Sequence, residues 1–483
     1  MIPTPPLSFP PILPELVLTG AAIVGLLYEA VARRPNRNLQ MAVGIAGVIG
    51  AAAATIPLWN WTGPVVVMGN MVSVDRFSVV SRLLLLSIAA MGILLGAHYL
   101  SRSGDAHRGE FFPLVLFATV GMTLITAAAD LIVVFLALEI LSLSLYVLTG
   151  ITGRRGSNEA AMKYFLLGAF SSAFFLYGVA MAYGATNSTR ITAIANALAG
   201  RTGSQGLALL ALAFLAVGFG FKVSAAPFHM WTPDVYQGAP TPVTAFMSAA
   251  TKAAAFLALA RVLDVSFQPL TWDWTPVIWA LAAISIVLGS VLAIAQTDIK
   301  RMLAYSSIAH AGFILTGLTA ANETGIRAAM FYLVAYAAMT VGAFGIVMLV
   351  SARGEEQTSL AAYEGLSKRS PYLAALMTVF LLSLAGIPPT AGFIAKVNVF
   401  AAAIGAGHWP LALVGVVSSV VAAFFYLRVL VLMYMREPRG EQDEDRSALP
   451  RVVLAVPAGV TVAFGVFPGL IAGIIEKAAV LRW

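Results

Sequence analysis

LIVVFLALEILSLSLYVLTG, residues 131–150, is a run of apolar, small and hydroxyl-bearing side chains interrupted by one carboxylate, Glu139. A helix of about 20 residues rises about 30 Å, the thickness of a bilayer's hydrocarbon core. With no proline, no alternation and a single charge, the stretch reads as a transmembrane helix. The rest of the chain repeats the pattern. Of 483 residues, 60% are hydrophobic and only 11% charged, where soluble chains carry about 25% charge. Spanning β-barrels are excluded because their strands alternate apolar with polar residues. Apolar runs bounded by Pro, Gly and charge predict fourteen spans. The first seven lie near 12–31, 40–58, 76–98, 111–128, 131–150, 160–183 and 207–225. The others lie near 242–262, 276–296, 301–319, 327–351, 372–403, 410–434 and 451–475. No basic segment precedes the first, so it reads as a retained span and not a signal peptide. The fold class is an all-α polytopic membrane protein.

What the chain lacks narrows its chemistry. There is no cysteine, so disulfides, thiolate-bound clusters and a cysteine nucleophile are excluded. The five histidines are scattered without metal-ligand spacing, and neither a P-loop nor a dinucleotide fingerprint occurs. The polar stretches near 184–206, 353–371 and 435–451 are too short for a soluble domain. Any redox or nucleotide chemistry that drives this protein therefore belongs to a partner, and this chain is expected to hold no cofactor or metal. The net charge of +7 comes from loop arginines, not a nucleic-acid surface.

Those loop charges predict orientation. Odd-to-even connections carry sixteen basic residues: Arg33, Arg34, Arg37, Arg102, Arg108, Arg154, Arg155, Lys300, Arg301, Arg353, Lys368, Arg369, Arg436, Arg439, Arg446 and Arg451. The opposite side carries seven: Arg76, Arg190, Arg201, Arg261, Arg327, Lys477 and Arg482. The positive-inside rule then puts both termini outside and the arginine-rich loops in the cytoplasm.

Six basic residues remain inside spans: Arg82, Lys163, Lys222, Lys252, Lys396 and Arg428, with Glu139 as an acidic companion. An ionisable group at the bilayer centre costs about 2.5–3.5 kcal/mol on insertion scales, so each needs a reason. Structural ion pairs or snorkelling would account for Arg82, Arg428 and Lys163, which lie near predicted span ends. Glu139, Lys252 and Lys396 sit too deep for that. The seventh span ends LAVGFGFKVSAAPFHMWTPD, with Lys222 five residues before the helix-breaking Pro227. The twelfth, MTVFLLSLAGIPPTAGFIAKVNVF, is interrupted by Gly386, Pro388 and Pro389, with Lys396 shortly after. If spans four to eight and nine to thirteen form two five-helix units, the breaks fall on the fourth helix of each. Paired breaks in corresponding positions point to a transport site. A carboxylate and buried lysines change proton affinity when either partner moves, and a histidine can pass a proton on. Glu139, Lys222, Lys252, His310 and Lys396 are thus candidate proton-relay stations, with Lys163 and His229 as weaker members. A scaffold whose charges only lock helices together is the bland alternative.

Two segments then carry a family resemblance. FKVSAAPFHMWTPDVYQGAPTPVTAFMSAATKAA (221–254) and TDIKRMLAYSSIAHAGF (297–313) resemble signatures of the antiporter-like membrane subunits of respiratory complex I. LEILSLSLYVLTG (138–150) with NEAAMKYFLLGAFSSAFFLYG (158–178) is similar to the N-type among them. A lysine at 396, where the M-type has glutamate, and the absence of an L-type lateral helix agree with this. The resemblance implies about fourteen transmembrane helices with two inverted five-helix repeats, each containing a broken helix. Its divisions would be 1–110, 111–265 (break near 225–228), 276–434 (break near 386–390) and 435–483. It implies that Glu139 and Lys222 form the input pair, tuned by Lys163. Lys252 would be the central lysine, His310 a relay and Lys396 the output lysine. It also implies a bacterial cell membrane location, membrane lipids as surroundings, and complex I subunits as partners. NADH, FMN, iron–sulfur clusters and quinone would all be held by those partners. Multisubunit cation/proton antiporters and membrane-bound hydrogenases share the signatures and form the alternative.

Overall fold

A computed structural model describes residues 8–33, 35–104, 108–200, 202–350, 357–438 and 447–481. The loop charges Arg34, Arg201, Arg353, Arg439, Arg446 and Arg482, and His107, lie outside the described residues. Helices make up most of the described residues. The helices are α1 (Leu13–Val31), α2 (Arg37–Thr55), α3 (Arg76–Arg102), α4 (Phe111–Thr126), α5 (Leu131–Thr149) and α6 (Arg155–Thr186). Next come α7 (Ile191–Ala199), α8 (Gln205–Val223), α9 (Trp231–Gly238), α10 (Thr241–Arg261), α11 (Thr271–Ile294), α12 (Ile299–Leu318) and α13 (Glu323–Val350). The last are α14 (Leu366–Arg369), α15 (Pro371–Ala385), α16 (Ala391–Gly405), α17 (Trp409–Met435), α18 (Ala448–Val466) and α19 (Gly469–Ala478). A two-residue antiparallel pairing, Val66–Val67 with Val72–Ser73, lies between α2 and α3.

Among the described residues, eleven helical segments are long and apolar enough to cross a membrane, and α4, α15 and α16 are shorter apolar helices. α12 is 20 residues long and mostly buried. Burial separates centre from rim. Every residue in the apolar window of the α10 segment is buried, and 94% in α13, against 33% in α1, α2 and α17. Helices apolar all round are buried or face lipid; here α10 and α13 are the most buried spans, while α1, α2 and α17 leave most of their apolar surface uncovered. The sequence of α10, rich in Ala, Ser and Thr, permits close helix approach. Glycines do the same around it. A Cβ at Gly121 would lie 2.6 Å from the Ala137 carbonyl oxygen of α5, and one at Gly312 2.7 Å from the Ala282 carbonyl oxygen of α11.

Helix ends follow local chemistry. Asp75, Asp130 and Asp298 each accept a backbone N–H at the start of α3, α5 and α12. The first break runs from Ser224, left-handed at φ +62°, to Met230. The Ala226 N–H in it donates to Ser285 Oγ of α11 at 2.8 Å. The second follows Gly386 (φ +86°) and resumes at Ala391. Each break holds a cis X–Pro bond, Ala226–Pro227 and Pro388–Pro389.

Polar contacts sort the connections into two ends. At one, Arg261 pairs with Asp75 at 2.8 Å and Arg327 with Glu476 at 3.2 Å. At the other, Arg301 pairs with Asp234 at 2.7 Å, Lys368 with Glu437 at 2.6 Å, and Arg154 donates to the Ser103 carbonyl. Burial pushes the Asp75 carboxyl up, but the charge and hydrogen bonds of Arg261, with hydrogen bonds from Ser78, outweigh it and hold it below its ordinary value.

Several sequence readings need adjustment. Lys300 and Arg261, read as loop charges, are buried. Lys300 donates to the Ala239 carbonyl at the end of α9, and Arg261 spans Asp75 and the Thr126 carbonyl. A charge at a helix end reaches back to carbonyls of a neighbouring helix, so sequence position overstates its exposure. The fourteenth span is two helices, α18 and α19, parted at Phe467–Pro468 because proline cannot continue a helix. Arg82 is fully buried and paired with Glu15 at 2.9 Å, while Arg428 donates to the carbonyls of Ile294 and Gln296. Both contacts fit the structural reading.

Candidate functional site

Glu139 and Lys222 lie where α5, α6 and α8 meet the first break. Lys222 occupies the last turn of α8, where the carbonyl end of the helix favours a cation. It is buried, and its Nζ has no hydrogen-bond partner. Three rings surround it instead: Tyr164 at 5.5 Å, Tyr146 at 5.8 Å and Phe221 at 5.9 Å. Glu139, on α5, is partly buried with Oε1 unpartnered, close enough for its charge to act on Lys222 and Tyr146. The two therefore neighbour each other without an ion pair.

Lys163 stands apart from them. Its side chain is 42% exposed, donating to Asp234 at 2.8 Å and pairing with Glu159 at 2.9 Å. Arg301 holds the other Asp234 oxygen, and the group lines a cleft of about 380 Å³. Burial pushes the Asp234 carboxyl up, but hydrogen bonds and charge from Lys163 and Arg301 prevail and hold it below the usual range. Asp234, on α9, is thus clasped between α6 and α12. His229, in the break, is half-buried with Nδ1 unpartnered; it touches neither Lys222 nor Lys252 through any hydrogen bond.

The second cluster is continuous. Lys252 of α10 donates to the Ser307 carbonyl of α12 and lies 5.7 Å from the centre of the Tyr336 ring. The Tyr336 hydroxyl donates to Ser307 Oγ at 2.9 Å, and its ring lies 5.3 Å from His310. His310 Nδ1 is 2.7 Å from the Tyr332 hydroxyl and Nε2 is 3.2 Å from that of Tyr426, which in turn bonds Ser306. A histidine held by a hydroxyl at each nitrogen can receive a proton at one and release it at the other. Phe313 joins His310 to Lys396, packing against the histidine ring at 5.8 Å while Lys396 Nζ lies 4.8 Å over its face. Lys396, on α16, reaches back across the second break and donates to the Ala385 carbonyl at 2.9 Å. His310 feels the charge of both Lys252 and Lys396.

Sequence reasoning missed the hydroxyls. Tyr146, Tyr164, Tyr332, Tyr336 and Tyr426 are buried among these charges, as are Ser306 and Ser307. Tyr236 of α9 lies between the clusters, its ring 6.0 Å from that of Trp231 and within electrostatic reach of Tyr336. The signal available was a tyrosine inside an apolar run, which as easily marks plain packing. Among the described residues no group of three His, Cys, Asp or Glu is placed to hold a metal ion.

This geometry has relatives. Residues 128–422 match the family described as NADH:quinone oxidoreductase/Mrp antiporter, TM. The NADH-quinone oxidoreductase subunit N of Rhodococcus opacus is 43% identical, the match covering 99% of this chain and 97% of that one. A chain of respiratory complex I from Thermus thermophilus superposes with a TM-score of 0.82 at 36% identity, over 96% of this chain and 99% of that one. A chain of the Mrp complex from Dietzia sp. shares the fold, TM-score 0.85, at 22% identity over 98% of this chain and 97% of that one. The chain belongs to the NADH:quinone oxidoreductase/Mrp antiporter transmembrane family.

Proposed function

From that membership we propose that the chain is the N-type, proton-translocating membrane subunit of a bacterial NADH:quinone oxidoreductase. Electron transfer from NADH through FMN and iron–sulfur clusters to quinone belongs to partner subunits. This chain contributes transport only. Protons enter at Glu139 and Lys222, pass Lys252 and His310, and leave by Lys396. The observation that carries this reading is the packed array Lys252–Ser307–Tyr336–His310–Phe313–Lys396, in which hydrogen bonds link Lys252, Ser307 and Tyr336 and ring contacts link Tyr336, His310, Phe313 and Lys396 in the most buried part of the bundle. Buried ionisable groups inside a membrane protein mark such paths. A change in the partners that shifts the Glu139 charge alters the affinity of Lys222 for its proton, and the disturbance passes along the array.

Fourteen crossings in two inverted five-helix repeats fit this scheme, with α8 and α9 forming one broken helix and α15 and α16 the other. Both termini then lie on the outer side of the inner membrane and the Asp234–Arg301 end faces the cytoplasm, as the loop charges suggest. The rival, a self-standing cation/proton antiporter, has in its favour a family description that also names Mrp antiporters and a fold neighbour at 22% identity. Reconstitution separates the two. The chain alone in vesicles under a pH gradient should move neither Na⁺ nor protons, while the assembled complex should acidify the vesicle lumen on NADH addition. Gradient-driven exchange by the chain alone would overturn the proposal.

A further inference from the structure

Lys222 presents a physical problem that the relay scheme does not solve. It is buried, and among the described residues its Nζ has no hydrogen-bond partner and forms no ion pair with Glu139. An ammonium so placed needs some other stabilisation. Three aromatic rings supply it, two of them from tyrosines of α5 and α6 that touch edge to face, with centroids 4.8 Å apart. Ring faces attract a cation through their quadrupole without fixing its direction.

The cage is built, not incidental. Tyr164 stacks flat on Trp231, with centroids 4.6 Å apart and planes 7° apart. Trp231 Nε1 donates to the Phe221 carbonyl at 2.9 Å, tying α9 to the end of α8 across the break. Tyr146 enters a gap that Gly168 leaves open: a Cβ there would lie 2.0 Å from the tyrosine hydroxyl. The titratable groups facing Lys222 are Glu139 and Tyr146 of α5 and Tyr164 of α6, with Tyr236 of α9 behind Trp231.

We propose that Tyr164, with Tyr146, is a positioning residue whose ring face holds the charged Lys222 in place of a hydrogen bond, and that Trp231 couples this cage to the first helix break. This rests on the reading that Lys222 carries a proton. A lysine held by ring faces keeps all three N–H donors available, so it can turn towards Glu139 or inward without first breaking a bond. Movement of α9 displaces Trp231, hence Tyr164, hence the attraction for the charged form.

The test uses the assembled complex in inverted membrane vesicles, with position 164 as Tyr164→Phe, Tyr164→Leu, and phenylalanine fluorinated at ring positions 3, 4 and 5. Redox-driven pumping per NADH and its pH profile are measured. Phenylalanine should retain pumping, because the ring is kept and only an unpartnered hydroxyl is lost. The fluorinated ring, nearly equal in size but with its quadrupole weakened, should lower pumping roughly two- to fivefold. It should also move the alkaline fall of the profile to lower pH by about half a unit. Leucine should lose more. The inference is overturned if the fluorinated ring matches phenylalanine in rate and profile, or if phenylalanine loses as much as leucine. Lys222→Ala distinguishes the deeper failure: wild-type pumping there sinks the relay itself, whereas pumping lost there but insensitive to fluorination sinks only the cage.

Discussion

The two helix breaks solve one electrostatic problem in opposite ways. Each ends a half-helix at its carbonyl end, and each sets a lysine ammonium near that end. At the second break the lysine comes from the following half: Lys396 of α16 folds back and donates to Ala385, the last residue of α15. At the first, Lys222 belongs to the preceding half and points away into aromatic rings, bonded to nothing. A bonded lysine helps hold its break together; an unbonded one contributes little to the fold and is free to exchange partners. On the proposed relay, structural and transport roles would therefore coincide at Lys396 and separate at Lys222.

Four substitutions probe that difference, in descending order of expected effect. Lys396→Met should abolish pumping and also destabilise the subunit by about 1–3 kcal/mol, because the Ala385 carbonyl is left buried and unpaired. Lys222→Met should abolish pumping with unchanged or raised thermal stability. Melting the purified complexes in detergent compares the two, and equal destabilisation would erase the contrast. Gly386→Ala should cost about 1–2 kcal/mol, since φ is +86° there. Its Cβ would also fall 2.8 Å from Lys396 Cδ, so pumping should drop as well. The mirror change at the first break, Ser224→Gly, should stabilise by up to about 1 kcal/mol, because a non-glycine residue holds φ +62° there. Pumping should be untouched by it.

The smallest effect concerns the clasp beyond the first break. Asp234→Asn should cost less than about 1 kcal/mol at neutral pH, since the pair is partly exposed and screened. The Asp234 carboxyl is held below its ordinary value, so its contribution is present above the unfolded value near 4 and lost as pH falls through the folded one. Stability curves of wild type and variant should therefore converge as pH falls through the lowered folded value, and a gap that persists once the carboxyl is fully protonated would point to packing instead of charge.

Much of this was legible in the chain. Apolar runs give the spans because lipid leaves a helix no other choice. Gly386, Pro388, Pro389 and Pro227 mark the breaks, and Lys222, Lys252 and Lys396 stand out because charge is costly at depth. The hydroxyl partners were not legible: Tyr332, Tyr336 and Tyr426 look like packing residues until three helices bring them to His310. Nor was the depth of Lys300, which depends on α9 folding over the start of α12. Lys163, whose place near a span end suggested an ion pair or snorkelling, pairs with Asp234 at the cleft.

The central claim is that protons cross this chain through its buried lysines, and the proton-to-electron ratio tests it most directly. With the complex reconstituted in sealed vesicles, Lys222→Ala and Lys252→Met should each lower the protons moved per NADH oxidised. A wild-type ratio in both variants would contradict the account.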